Sequence, residues 1–322
     1  MHIMEGFLPW VWCLFWYLVS MPILFWGMRK VIRLFREHPE QKIMVAVSGA
    51  FVFVMSSLKL PSLTGSSSHP TGTGISTVLY GVGVTSVLTV IVLIFQALLL
   101  AHGGITTLGA NLFSMGIAGP FVAYLAYKGL QKAGAGMAVT VFTAAFVSDL
   151  FTYVVTAFQL SLAFPTNGNF LPSFEAFMTV YAITQVPLAI VEGILTVMFF
   201  DFLANSRPEQ LADRIRVTGK RMTKRARYVL AAVMVTFVVS AMVLVRFLGL
   251  QGSDNAGSDK ILQIDPSYVP WFHSLFELNT AQEIILFAVQ AIIGLAIIYY
   301  AYRRFKRKTE KDDGEEEDIV PD

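Results

Sequence analysis

The stretch Ile75–Ala101, which reads ISTVLYGVGVTSVLTVIVLIFQALLLA, decides how this chain folds. It is uncharged and about 27 residues long, which at about 1.5 Å per residue is too short to span the ~30 Å hydrocarbon core of a bilayer twice. Gly81 and Gly83 interrupt it, and paired glycines tolerate a turn. The stretch therefore predicts a membrane hairpin in which one arm is short or re-entrant.

The composition of the whole chain is that of a bilayer protein. Hydrophobic residues make up 55% of the 322 residues, charged residues make up 14%, and the mean hydropathy is +0.62. Water-soluble domains are less apolar and carry more charge. We therefore expect an all-α protein, built as a polytopic bundle of transmembrane helices.

Apolar stretches of roughly 20 residues mark the expected membrane crossings. They are Pro9–Gly27, Ile43–Leu58, Ile75–Ala101, Leu112–Tyr127, Met137–Phe164, Phe174–Leu203, Tyr228–Leu248 and Ala281–Tyr302. Counted singly, they would leave the basic C-terminal tail on the wrong face of the membrane. The hairpin at Gly81-Val82-Gly83 supplies the missing crossing, and gives seven segments before a basic linker and two after it.

Positive charge sets the orientation, because cytoplasmic loops are enriched in Lys and Arg. With the hairpin, almost all of the 24 Lys and Arg residues lie in the cytoplasm. The exceptions are Lys59, Arg246 and Lys260. A break at Pro187 instead would move Lys128 and Lys132 outside as well, so we prefer the break at Gly81. The N-terminus is then outside and the C-terminus is in the cytoplasm.

The same pattern divides the chain into four parts. The predicted parts are a membrane domain over 1–205, a basic cytoplasmic linker over 206–227, a two-helix domain over 228–305 with an extracellular loop at 249–280, and a charged cytoplasmic tail over 306–322.

His2 is the first candidate metal ligand. The α-amine of Met1, the amide nitrogen of residue 2 and the imidazole of His2 could close two adjacent small chelate rings on one ion. Nitrogen donors suit Co, Ni, Cu and Zn, and the amine must lose its proton before it binds. The alternative is an incidental histidine near the start of the chain.

His69 lies in the polar, glycine-rich loop Thr64–Gly74, on the same outer face as Met1 by the charge count. It would supply a fourth nitrogen, although such a loop could also be a solvated connector. His102 lies in the next outer loop and is a candidate for a supporting or gating role behind the ligands, with a direct ligand role as the less favoured alternative. Ser68 and Thr107, in the same two loops, are candidates for that role too.

Two carboxyl groups fall inside predicted spans, at Asp149 and Glu192. Ionisable groups in a membrane are candidates for function. Hydrogen bonding between helices is the interpretation that we favour over ion binding. The small residues Ala46 and Ala50 allow close helix approach, either within this chain or to another membrane subunit.

The sequence also excludes some chemistry. It has no G-x-x-x-x-G-K-[ST] loop and no H-E-x-x-H motif, so any ATP hydrolysis would need a partner. Nothing in it points to a nucleic-acid partner.

Three segments in order resemble the CbiM family, the substrate-capture subunits of energy-coupling-factor (ECF) cobalt transporters. They are residues 1–9 (MHIMEGFLP), 58–72 (LKLPSLTGSSSHPTG) and 95–104 (FQALLLAHGG). Residues 268–272 (YVPWF) and 286–294 (LFAVQAIIG) resemble the small accessory subunit CbiN, fused here through the basic linker.

The resemblance implies a seven-helix capture subunit in a bacterial or archaeal cytoplasmic membrane, with a two-helix accessory module. It implies metal coordination by the Met1 amine, His2 and His69. The implied partners are a transmembrane coupling subunit, which would dock on Ala46 and Ala50, a cytoplasmic ATPase, and membrane lipid. The chain would then be a transporter subunit that supplies cobalamin biosynthesis, with no bound organic cofactor.

The transported ion is implied to be Co2+, because Met4-Glu5 is similar to the cobalt branch, but Ni2+ stays an alternative. Nitrogen donors do not favour cobalt, since nickel binds such sites more tightly. Two other functions remain open: an intramembrane enzyme with a catalytic metal near His69, His102 and Asp149, and a metal sensor without transport.

Overall fold

The structure is a computed structural model of the 322-residue chain. It describes residues 2–57, 60–61, 67–206, 223–248, 253–274, 276 and 278–317. Met1, most of the loop at 58–66 and the linker residues 207–222 therefore lie outside the described residues, as do 249–252 and 318–322.

The described chain is almost wholly helical. The α-helices are α1 Trp10–Glu37, α2 Gln41–Met55, α3 Thr73–Leu99, α4 Leu108–Asn111, α5 Gly119–Lys132, α6 Met137–Ala163, α7 Phe170–Ser206, α8 Lys224–Leu248, α9 Ser253–Ile264 and α10 Thr280–Glu317. The π-helix Leu112–Ala118 joins α4 to α5. Two short strands, β1 Leu60–Pro61 and β2 Ser67–Ser68, pair antiparallel between α2 and α3.

The helices have the dimensions of membrane spans. Within the described residues, 6 helices are long and apolar enough to cross a bilayer. The chain is thus an integral membrane protein, and the predicted all-α membrane bundle is confirmed.

Helix α1 illustrates how the bundle meets lipid. It buries one stripe of residues at the three- and four-residue spacing of a helix face. The members of the stripe are Cys13, Trp16, Ser20, Leu24 and Gly27. The opposite face exposes large apolar side chains such as Leu18 and Phe25. An apolar outer face is stable in hydrocarbon, where a soluble protein would need a polar one.

Helix α3 is broken where the sequence predicts it. Gly81 has φ 75° and ψ 176°, which ends one helical arm and starts the next. The hydroxyls of Thr77 and Thr85 lie 3.3 Å apart across the break. In a continuous helix eight residues would separate them by about 12 Å along the axis. The two arms therefore fold toward each other, and the arm Thr73–Tyr80 is too short to span a bilayer.

The C-terminal part packs directly on the first. Helix α10 lies against α2, where Gln290 Nε2 donates a 2.7 Å hydrogen bond to the carbonyl of Phe53. Gly294 brings the two backbones close: a Cβ at that position would lie 2.5 Å from Val54 Cγ2 and 3.2 Å from the Ala50 carbonyl oxygen. Helix α9 packs on α7.

Two segments that the sequence analysis predicts as a loop and a tail contain helix. The predicted loop at 249–280 contains the 12-residue helix α9. Helix α10 runs without a break past residue 306, the expected start of the charged tail, and reaches Glu317. The predicted linker over 206–227 falls mainly outside the described residues, so its boundaries stay a prediction.

Replacing Gly81 by alanine should destabilise the fold by about 1–3 kcal/mol, because its backbone conformation is almost restricted to glycine. Space is not the obstacle, since the closest atom to an added Cβ would be Tyr124 Cε2 at 3.9 Å. Thermal unfolding in detergent measures the change. Gly129→Ala is the control, because Gly129 is helical and its added Cβ meets nothing within 4 Å. Equal melting of Gly81→Ala and wild-type protein would contradict the assignment of strain.

Candidate metal centre

The N-terminal segment is folded into the bundle. His2 is 4% exposed, Ile3 3% and Leu8 0%. Peptide groups removed from water need partners inside the protein. The Ile3 amide donates to Asn111 Oδ1 at 2.8 Å, and the Ile3 carbonyl accepts from Thr107 Oγ1 at 2.7 Å. These bonds fix the position of His2 relative to α4.

Glu5 anchors the other end of this segment. Its carboxylate accepts hydrogen bonds from the Ile105 amide at 2.6 Å and the Thr106 amide at 3.0 Å. Glycine is required beside it, because a Cβ on Gly104 would lie 2.7 Å from Glu5 Cδ. A Cβ on Gly103 would lie 3.2 Å from His2 Cβ, and Gly103 also has a φ of +73°. The glycine pair thus lets the N-terminal segment approach the loop closely.

His69 is oriented by its own neighbours. Its Nδ1 lies 2.8 Å from the Pro70 carbonyl oxygen, which only accepts hydrogen bonds. Nδ1 must therefore carry the proton, which leaves the Nε2 lone pair available for a metal. Glu192 fixes the backbone two residues after His69. Its carboxylate accepts hydrogen bonds from the Thr71 amide at 2.6 Å and from Thr71 Oγ1 at 2.9 Å.

Three imidazoles converge in the interior. His69 Nε2 lies 3.4 Å from His2 Nδ1 and 3.1 Å from His102 Nε2. One ligand nitrogen from each ring can be chosen so that all lie within 4.8 Å of one another, and all three residues are buried. Nitrogens bound at about 2.0–2.1 Å to one tetrahedral ion lie about 3.3 Å apart, so the cluster has the size of a transition-metal site.

The break in α3 makes this convergence possible. His69 precedes α3 and His102 follows it, with 27 helical residues between them. A straight helix of that length would separate the two histidines by about 40 Å. Folding at Gly81 instead returns His102 to His69.

The structure therefore brings together two of the ligands expected from the sequence, His2 and His69. Met1, the third, lies outside the described residues. His102, expected in a supporting or gating role, lies beside His2 and His69, with its Nε2 3.1 Å from His69 Nε2. Thr107 supports the Ile3 carbonyl, and Ser68 Oγ accepts a 2.9 Å hydrogen bond from the Ser253 amide.

The two carboxyl groups within the spans differ in their surroundings. Glu192 joins α7 to the segment that carries His69, as expected of a hydrogen-bonding partner between helices. Asp149 is fully buried on α6, and its carboxyl group interacts electrostatically with Glu192. Neither belongs to the histidine cluster.

Asp254 is the main residue that the sequence does not reveal. Its Oδ1 accepts a 2.9 Å hydrogen bond from the His2 amide, and its Oδ2 lies 3.4 Å from His102 Nε2. It stands 252 positions from His2, in a stretch with no metal-ligand spacing. Asn111 and Glu5 were also missed, since their role is to bind backbone groups.

The segment after α9 covers the N-terminal segment from its other side. Tyr268 donates a 2.8 Å hydrogen bond to the Gly6 carbonyl, and Trp271 Nε1 donates a 2.7 Å bond to the Leu8 carbonyl. Burial raises the pKa of Tyr268 to about 12, so its hydroxyl remains a donor at neutral pH. Gly6 must be glycine, because a Cβ there would overlap the Phe272 carbonyl oxygen.

Two family models match the chain. The model described as "Cobalt uptake substrate-specific transmembrane region" (CbiM) matches residues 2–210. The model described as "Cobalt transport protein component CbiN" matches residues 222–315. The two matches follow one another along the chain, as the sequence resemblance predicts.

Known proteins and solved structures that are similar to this chain also carry names of cobalt or transition metal transporters. The putative cobalt transport protein CbiM 2 of Methanosarcina barkeri is 50% identical over 232 residues, which cover 70% of this chain and 98% of that protein. The cobalt transport protein CbiM of Carboxydothermus hydrogenoformans is 57% identical over 204 residues, 63% of this chain and 83% of that protein. A crystal structure of a truncated transition metal transporter aligns with a TM-score of 0.55 at 26% identity, and covers 64% of this chain and 99% of that one.

Removing the His102 imidazole should weaken the binding of a divalent cobalt ion by at least ~10-fold, since the ion would lose a buried nitrogen donor. Calorimetric titration of purified His102→Ala protein in detergent measures this change. His38→Ala, at an exposed histidine, is the control and should bind like the wild type. Wild-type affinity in the His102→Ala protein would exclude a ligand role for His102.

Proposed function

Because the chain belongs to the CbiM family and continues into a CbiN region, we propose that it is the substrate-specific subunit of an ECF transporter that captures Co2+. The main observation that supports this proposal is the cluster of three buried imidazoles, those of His2, His69 and His102. A site of nitrogen donors binds transition ions and leaves Mg2+ and Ca2+ in solution, because those ions prefer oxygen.

In this proposal the Met1 amine and His2 form a chelate, and His69 completes the ligand set. The burial of His2 supports it, because the His2 imidazole lies inside the protein with His69 and not in the surrounding water. The His2 amide donates to Asp254, so binding through that nitrogen would exchange this hydrogen bond for a metal bond. His102 adds a further donor next to His69.

The preference for Co2+ over Ni2+ rests on the family. Imidazole and amine donors alone would bind Ni2+ more tightly. Nickel capture is therefore the alternative, and competition between the two ions for the purified protein distinguishes them. The imported cobalt would supply cobalamin biosynthesis.

In this proposal, partner subunits supply the energy for cobalt uptake. The sequence has no phosphate-binding loop for ATP, so the proposal assigns hydrolysis to a cytoplasmic ATPase, reached through a transmembrane coupling subunit. Ala46 and Ala50 on α2 are the proposed docking surface. Ala46 is exposed, whereas Ala50 is buried beneath α10, so the Ala46 end would meet the partner.

The proposed orientation puts the N-terminus outside and the C-terminus in the cytoplasm. The distribution of Lys and Arg along the chain supports it. The metal centre would then face the outside, where the ion is captured.

One residue added before Met1 should abolish cobalt uptake, because it converts the ligand amine into an amide and displaces the new amine by about 3.8 Å. His2→Ala should do the same. Uptake of radiolabelled Co2+ is measured in cells that also express a coupling subunit and an ATPase. An extension of equal length at the C-terminus is the control. Wild-type uptake by the N-terminally extended protein would refute the chelate.

A further inference from the structure

The C-terminal module places a carboxylate against the histidine cluster. Asp254, in the first turn of α9, is 4% exposed. Its two oxygens contact the His2 amide at 2.9 Å and His102 Nε2 at 3.4 Å. It thus touches two of the three residues that form the cluster.

Charge explains why a carboxylate would belong there. Imidazoles that bind a metal do so in their neutral form, so the rings of His2, His69 and His102 offset none of the charge of a divalent ion. A His2 amide nitrogen that gave up its proton to bind the ion would offset only one of the two charges. A buried charge is costly unless an opposite charge lies close. Two other buried carboxylates have different partners: Glu5 binds the Ile105 and Thr106 amides, and Glu192 binds Thr71. Asp149 is also buried, but it does not belong to the histidine cluster.

The position of Asp254 is fixed by its surroundings. The Ser253 amide donates to Ser68 Oγ at 2.9 Å, one residue before His69. Further along α9, Gly257 packs against Tyr181, where a Cβ would lie 2.7 Å from the hydroxyl oxygen. Ile261 is 1% exposed. Helix α9 therefore holds the carboxylate in place against the bundle.

We propose that Asp254 is part of the metal centre, and that its carboxylate stabilises the divalent ion held by His2, His69 and His102. The accessory module then supplies the negative charge of a site whose nitrogen ligands come from the first module. This inference rests on the proposed capture of a metal ion, and it adds a residue that lies about 250 positions away in sequence.

Asp254→Asn tests the charge alone, because asparagine has the same size and its side-chain oxygen can still accept from the His2 amide. The purified full chain in detergent is titrated with CoCl2. We expect Asp254→Asn to bind Co2+ roughly 10- to 100-fold more weakly and to shift the visible absorption bands of bound Co2+. Asp259→Asn, the same change at an exposed position of α9, should alter neither.

The conservative variant Asp254→Glu restores the charge on a longer side chain. It should recover much of the affinity while keeping a shifted spectrum, an outcome that a purely structural role for Asp254 does not produce. Thermal unfolding checks that each variant is folded. If Asp254→Asn does not fold, the Asp254→Glu spectrum decides: a shift supports the inference, and a wild-type spectrum overturns it.

The titration distinguishes a failure of the proposed function from a failure of the role assigned to Asp254. No binding of Co2+ or Ni2+ by the wild-type protein would refute the proposed function itself. Wild-type binding with an unchanged affinity and spectrum in folded Asp254→Asn would overturn only the role of Asp254.

Discussion

The N-terminal segment can lie inside the bundle only if its peptide groups find partners there. In an apolar interior an unsatisfied amide or carbonyl costs several kcal/mol, and water cannot make up the loss. The amides of His2 and Ile3, and the carbonyls of Ile3, Gly6 and Leu8, all have partners. Those partners are Asn111, Thr107, Asp254, Tyr268 and Trp271. These backbone hydrogen bonds hold the N-terminal segment in the position that places the His2 imidazole beside the other two histidines.

Residues of both matched regions meet around the histidine cluster. The CbiM-matching region, residues 2–210, contains the three histidines, and the CbiN-matching region, residues 222–315, provides the partners for the His2 amide and for the Gly6 and Leu8 carbonyls. Joining the two regions in one chain keeps the second at a high effective concentration beside the first. Contacts between α10 and α2 add a second attachment, through Gln290 and Phe53.

Sequence reasoning recovered the parts that depend on local pattern. Apolar length predicted the membrane helices, of which six within the described residues are long and apolar enough to cross a bilayer. The charge count favoured a reversal near Gly81 over one at Pro187, and the helix is broken at Gly81. His2 and His69 were identified because each lies in a distinctive local context. The closeness of His102 to His69 and the contacts of Asp254 with His2 and His102 were not predicted. Both depend on tertiary contacts across the fold, which residue spacing does not encode, and a single Asp at a helix start has ordinary capping as its expected role.

In the proposed metal centre, imidazoles of His2, His69 and His102 hold the transported ion. X-ray absorption at the cobalt K-edge of the loaded, purified protein reports the atoms around that ion. We expect a first shell of nitrogen and oxygen near 2.0–2.1 Å, with the outer-shell scattering that several imidazole rings produce. In the His102→Ala protein this imidazole signal should decrease by one ring. A spectrum of loaded wild-type protein without imidazole scattering would rule out coordination by these histidines.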